Sequence, residues 1–217
     1  MANKKYRPGY FEKFLVVDCE TSSMFRNTLS PSSHDGKYCQ AISWGIVVTD
    51  TKTYLPIEKY YFEIKWDGKS EWSKEAESIH GLSKEHLDEN GIDEEDFVAE
   101  FAAIIDKHFN TNKVNDTSGV VYLAGNNIST FDYHFLWDQL ARHGFQDGDF
   151  HIKFGHRQID VTSVALLLFS TYTSRETFEL LNLNRDEGQH NALEDALCSL
   201  KTLRKAHVLC KDFMPHD

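Results

Sequence analysis

Apolar residues along the chain switch between a period of two and a period of three to four, and the switches mark the elements. The run Phe14-Leu15-Val16-Val17-Asp18-Cys19-Glu20-Thr21 is apolar until it ends in two acids placed two residues apart, and it reads as a buried strand. Residues 22–40 are rich in Ser, Asn, Pro and Gly and predict a loop longer than most compact domains carry. Residues 41–50 and 54–66, β-branched and aromatic, predict two more strands joined by a hairpin around Asp50-Thr51-Lys52. Residues 72–90 are mixed, with one short helix expected after a Ser83 cap. A longer helix is expected from Asp93, with Phe97, Phe101, Ile104, Ile105 and His108 at helical spacing. Residues 119–124 read as one central strand buried on both faces, broken by Gly125-Asn126-Asn127. Residues 131–144 repeat apolar positions at three and four and end at Gly144 as a C-cap. Residues 159–172 read as a buried helix capped by Asp160, and residues 177–183 as a short one. In residues 191–208, Ala192, Leu193, Ala196, Leu197, Leu200 and Leu203 share one face of a closing helix. The pattern predicts an α/β fold with a mixed sheet, three antiparallel strands followed by parallel ones, and helices on both faces.

Composition narrows the class. The chain has 217 residues, 41% hydrophobic and 26% charged, ordinary values for a globular protein. Residues 1–10, with Lys4, Lys5 and Arg7 ahead of Pro8-Gly9, read as a mobile basic arm, and residues 11–217 as a single domain. The four cysteines have no CxxC spacing, which predicts reduced thiols. No apolar run approaches the ~20 residues of a membrane span, and Met-Ala-Asn-Lys-Lys opens no signal-peptide core. A soluble cytoplasmic protein without membrane partners is expected. The net charge of −11 argues against a broad basic surface that coats nucleic acid. It leaves open an enzyme that meets a phosphate through bound cations.

Strand alternation places Asp18 and Glu20 on one side of the first strand. Two carboxylates at the end of a buried strand are costly unless a hard cation joins them; the plainer alternative is a solvated pair. Asp132 stands just past the expected central strand at the start of a helix, where ligands gather in open α/β sheets. Asp195 lies one turn into the last helix, and His190 just before it. Singly, each has a plain alternative: a helix-dipole acid, a solvated helix residue, an exposed loop histidine. Their occurrence together is the signal.

In these motifs the chain resembles the DEDDh-type (DnaQ-like) 3′→5′ exonucleases of the ribonuclease H-like superfamily. The DxE-Thr motif matches Asp18-Cys19-Glu20-Thr21. The Asn and aromatic-Asp motif matches Asn127 and Phe131-Asp132, and HxAxxD matches His190-Asn191-Ala192-Leu193-Glu194-Asp195. A softer landmark is Ile79-His80-Gly81-Leu82. The chain departs where the family often has Gly after the first motif, having Ser22-Ser23-Met24-Phe25, and in the longer spacing from Asn127 to Asp132.

The resemblance implies that Asp18, Glu20, Asp132 and Asp195 hold two Mg²⁺ or Mn²⁺ ions about 4 Å apart, with His190 as general base. It implies that Thr21, Ile79, His80 and Asn127 seat the terminal nucleotide. Their local alternatives are a turn contact for Thr21, core packing for Ile79 and a helix cap for Asn127. The expected substrate is a single-stranded 3′ end, DNA ahead of RNA, released as nucleoside 5′-monophosphates, with a polymerase or other replication or repair partner acting in trans. An RNase of the same fold that trims 3′ ends or oligonucleotides is the nearer alternative. A silent nucleic-acid- or polymerase-binding module is the more distant one, disfavoured because all four acids and the histidine are retained. Lys153, His156, Arg157 and His151 form a basic stretch that meets either a backbone or solvent. Met24 and Phe25 either wedge against a base or pack. Residues 22–40 are where substrate choice is expected to be set.

Overall fold

The computed structural model describes residues 11–24, 38–109, 120–144, 152–183 and 190–211. Strands β1 (Lys13–Thr21), β2 (Ala41–Asp50) and β3 (Pro56–Glu63) come first and pair antiparallel. Helices α1 (Lys74–His80), α2 (Lys84–Asn90) and α3 (Glu94–Phe109) follow. Then come β4 (Val120–Val121), β5 (Leu123–Gly125), α4 (Asp132–Arg142), β6 (Lys153–Phe154) and β7 (Ile159–Asp160). Helices α5 (Val161–Phe169), α6 (Ser174–Leu180) and α7 (Ala192–Cys210) close the order. The main sheet runs β3-β2-β1-β5-β7, with β5 parallel to β1 and β7 parallel to β5. This is the mixed sheet that the strand pattern predicts.

The alternation along β1 sorts the fold into two faces. Leu15, Val17 and Cys19 point into a core with Trp44, Ile46 and Val48 of β2, Phe97, Phe101 and Ile105 of α3, and Phe135, Leu136 and Leu140 of α4. Phe14 and Val16 point the other way, to Val47, Ala124, Val161 of α5, and Ala196, Leu200 and Leu203 of α7. Helices therefore cover both faces. Asp18 and Glu20 continue the register of Phe14 and Val16, so they belong to the face covered by α7.

Three elements differ from expectation. Residues 72–90 hold two helices rather than one. Besides α2, whose Ser83 cap accepts from the His86 N–H, α1 starts at Ser73, whose side chain accepts from the N–H groups of Glu75 and Ala76. Only Ala76 and His80 of α1 are buried, so no apolar period announces it. The expected central strand is split. β4 pairs with β6 in a separate two-stranded sheet, while Tyr122 turns the chain and its carbonyl accepts from the Leu15 N–H as β5 joins the main sheet. Residues 159–172 are not one buried helix. Ile159 and Asp160 pair with β5, and Asp160 caps α5 by accepting from the Ser163 N–H, as its predicted role requires. Of α5 only Val161 and Ala165 are buried, and Leu167 is 82% exposed. A helix apolar all round gives no phase to its sequence, so its burial is not legible there. At the end of α4 the cap is His143, and Gly144 follows it at φ 76°.

The loop between the first two strands is described only at its ends, and residues 1–10, Phe25 and His151 lie outside the described residues. Among the described residues no cysteine is joined in a disulfide; Cys19, Cys39 and Cys198 are buried and Cys210 is half-buried. No helix of the described residues is long and apolar enough to cross a membrane.

Candidate active site

The site lies where the end of β1 meets the start of α7. Two glycines permit this approach. Gly45 pairs with Asp18 across β1 and β2, and a Cβ on it would stand 2.2 Å from the Ala192 carbonyl oxygen. A Cβ on Gly125 would stand 2.6 Å from the Val17 carbonyl oxygen, so β5 too comes close only because that residue has no side chain. With Gly45 in place, the first turn of α7 lies against the strand that carries the acids.

That first turn is locally determined. Asn191 caps α7, its side chain accepting from the N–H groups of Leu193 and Glu194. Asp195 falls one turn in, and its N–H donates to the Asn191 carbonyl at 2.9 Å. His190 precedes the cap, and its N–H donates to the Ile79 carbonyl at 3.0 Å. The C-terminal end of α1, closed by Gly81 at φ 73°, thus fixes where His190 sits.

Three of the expected residues converge tightly. One ligand atom from each of Glu20, His190 and Asp195 lies within 4.8 Å of the others. His190 Nδ1 is 3.3 Å from Asp195 Oδ2, with the imidazole 42% exposed and the carboxylate 6% exposed. Asp18 is half-buried two residues before Glu20 on the same face. Asp132 reaches the strand from the other side: its Oδ1 accepts from the Cys19 N–H at 2.9 Å, and the residue is 2% exposed. Asp132 thus meets the DxE segment at its backbone, beside the Glu20–His190–Asp195 group rather than within it.

The electrostatics follow the geometry. Burial pushes the Asp132 carboxyl above the usual carboxylate range, against hydrogen bonds from Cys19 that favour its charged form. Burial pushes the Cys19 thiol up as well, and the charges of Asp132, Asp18 and Glu20 push it further. One buried atom that senses three carboxylates marks a focus of negative potential. A donor set of clustered carboxylate oxygens with one imidazole is that of a hard or borderline divalent cation, so these residues fit one.

The four residues expected to seat a nucleotide fare differently. The Thr21 hydroxyl donates to the Ser23 carbonyl at 2.9 Å, the turn contact that was its alternative. Ile79 is half-buried and contributes its carbonyl to His190. His80 is 4% exposed; its Nδ1 accepts from the Leu82 N–H at 3.0 Å, and burial pushes its imidazole below the ordinary range. Asn127 is exposed at φ 52°, and its carbonyl accepts from the N–H groups of Thr130 and Phe131 in the turn that leads into α4. Sequence reasoning passed over its neighbour Asn126, whose Nδ2 donates to Ser199 Oγ at 2.7 Å and ties the end of β5 to α7. It passed over Gly45 too. Neither stands in a chemical motif, and only the packing of α7 reveals them.

A family model described as an exonuclease of the RNase T type matches residues 15–203. The chain belongs to this exonuclease family. Its fold is ribonuclease H-like, and solved exonuclease structures share it. E. coli Exonuclease I in complex with a dT13 oligonucleotide superposes with a TM-score of 0.69 at 14% identity, covering 93% of this chain and 42% of that one. The zinc-bound form of the E. coli Exonuclease I–ssDNA complex gives 0.65 at 15% identity, covering 91% and 41%. Exonuclease I from Methylocaldum szegediense, a moderately thermophilic enzyme, gives 0.65 at 15%, covering 90% and 40%. The chain thus spans about two fifths of the length of these structures. No sequence among the curated proteins compared with it matches significantly.

Proposed function

We propose that this member of the exonuclease family is a DEDDh-type enzyme that removes nucleoside 5′-monophosphates from the 3′ end of single-stranded DNA. The observation that carries the reading is the convergence of Glu20, His190 and Asp195 within 4.8 Å at the end of β1. The deoxyribose preference draws its support from similarity to structures captured with dT13. We take residues 11–217 as the catalytic domain.

In this reading Asp18, Glu20, Asp132 and Asp195 would hold two divalent cations, Mg²⁺ with Mn²⁺ as substitute, which would supply Lewis-acid activation of the phosphate and of the water. His190 Nδ1 lies 3.3 Å from Asp195 Oδ2, and in this reading Nε2 would be the nitrogen that serves as base. Nε2 takes a proton from water as its oxygen bonds to phosphorus. The bond from phosphorus to the 3′-oxygen of the preceding nucleotide breaks, and that oxygen takes a proton from solvent as it leaves. The Ile79 carbonyl holds the His190 backbone beside the cluster.

The test is digestion of 3′- and 5′-labelled single- and double-stranded DNA and RNA with Mg²⁺, Mn²⁺ or EDTA. The expected result is a single-stranded DNA substrate shortened from its 3′ end, with mononucleotide products and no cleavage in EDTA. Faster digestion of RNA would move the assignment to an RNase of the same fold. Full-rate cleavage in EDTA would overturn the metal-dependent reading.

A further inference from the structure

Beside the acid cluster stand two tryptophans and a lysine that the chemistry above does not use. Lys84 Nζ lies 3.4 Å from the centroid of the Trp66 ring and 5.2 Å from that of Trp72. The two indoles meet edge to face at 5.7 Å, and all three residues are half-buried. Each ring N–H is turned to an acceptor within the fold. Trp66 Nε1 donates to Ser70 Oγ and Trp72 Nε1 to Glu77 Oε2, both at 2.7 Å. The rings are therefore fixed, and they offer faces rather than polar edges.

The treatment of the lysines in this stretch is uneven. Lys65 pairs with Asp93 at 3.2 Å, and Lys74 with Glu77 at 2.8 Å. Among the described residues Lys84 makes no ion pair; its ammonium is held by ring faces instead. A ring face attracts a cation without neutralising its charge, and it leaves N–H donors for an anion.

Its position gives the ammonium a use. Trp72 meets the His80 ring edge-on at 6.4 Å. His80 lies beside the Thr21 backbone at the end of β1 and within electrostatic reach of His190. The residue before it, Ile79, supplies the carbonyl that holds His190. The lysine and tryptophans thus border the site through a continuous set of contacts.

We propose that Trp66, Trp72 and Lys84 form a second nucleic-acid subsite, for the strand upstream of the terminal nucleotide. Lys84 takes a backbone phosphate, and an adjoining base packs against the indoles. Fixed aromatic faces with a cation are how single strands are held without regard to sequence. The inference rests on the exonuclease reading and extends it to how the rest of the strand is gripped.

The test compares two substrates, (dT)20 and the p-nitrophenyl ester of thymidine 5′-monophosphate, which has no upstream nucleotide. Lys84→Ala and Trp72→Ala are expected to raise KM for (dT)20 about tenfold, the worth of one lost contact. KM for the ester stays as in wild type, which also reports that the variants fold. Lys84→Arg restores strand binding. In fluorescence anisotropy with labelled (dT)20 in EDTA, Lys84→Ala lowers the log–log salt slope by about 0.7. Equal losses on both substrates, or none on either, would overturn the subsite while leaving the nuclease reading intact. If wild type cleaves neither substrate, the nuclease reading itself fails.

Discussion

On one face of the sheet Trp44, Phe97, Phe101 and Phe135 fill the space up to α3 and α4. On the other, Gly45, Ala124, Ala192 and Ala196 present so little side chain that α7 lies directly against the strands. The first face is a packed aromatic core: Phe97 contacts the rings of Trp44, Phe62 and Phe101 at centroid distances of 5.5 to 6.1 Å. The second spends its space differently. Because α7 approaches closely, its first turn delivers Asp195 and the residue before its cap delivers His190 to the acids of β1. Bulk on one side fixes the sheet, and smallness on the other brings the acids together. The same strand serves both faces by alternation.

Substitutions on the two faces should therefore fail in different ways. The largest effects are expected at the cluster itself, beginning with Asp195→Asn, which removes a carboxylate but little packing. Turnover on single-stranded DNA should fall by on the order of 10³-fold, with the thermal midpoint within a few degrees of wild type. His190→Ala should cost ~10²–10⁴-fold in turnover, the range for a general base, with the protein equally stable by calorimetry. Phe97→Ala, on the opposite face, should reverse the pattern. It should lose about 3–5 kcal/mol of stability in urea, while the fraction still folded keeps its KM.

Gly45→Ala sharpens the comparison because it strikes the boundary of the two effects. Its Cβ would press on the Ala192 backbone, so both stability, by about 1–3 kcal/mol, and turnover should drop together. A variant that lost stability alone would show that the close seat of α7 does not set the site.

The smallest effect belongs to the rim of the aromatic face. Glu94 is pushed up by burial, but Arg142, Gln139 and His143 hydrogen-bond its charged form and leave its carboxyl below the ordinary value. A carboxyl lowered in the folded state stabilises the fold above its unfolded pKa, and that contribution fades as pH falls through the folded value. Glu94→Gln should cost about 1–2 kcal/mol at pH 7, and its gap from wild type in urea melts should close in acid. A gap that widened in acid would contradict the assignment.

The sequence made the candidate site more legible than the packing around it. Asp18, Glu20, Asp132, His190 and Asp195 stand out because they fall in motifs of fixed residue type and spacing. Strands β1 and β2 and helix α7 announce themselves through long, regular apolar periods. What escaped had no such signature. Helix α1 buries only two residues, and the exposure of Leu167 on α5 is hidden by a helix apolar on every side. Gly45 and Asn126 act through approach and tethering, and the Trp66–Trp72–Lys84 cluster joins residues from a loop, the edge of α1 and the start of α2. Each of these depends on a neighbour distant in the chain, which a local pattern cannot carry.

The central claim is that the carboxylates at the end of β1 carry the chemistry. The most direct measurement is hydrolysis of a 5′-labelled single-stranded oligonucleotide by wild type and by Asp18→Asn at equal concentrations in Mg²⁺, with folding of both checked by circular dichroism. The account predicts a ladder of products shortened from the 3′ end for wild type and an intact strand for the folded variant. A ladder of the same intensity from Asp18→Asn would contradict it.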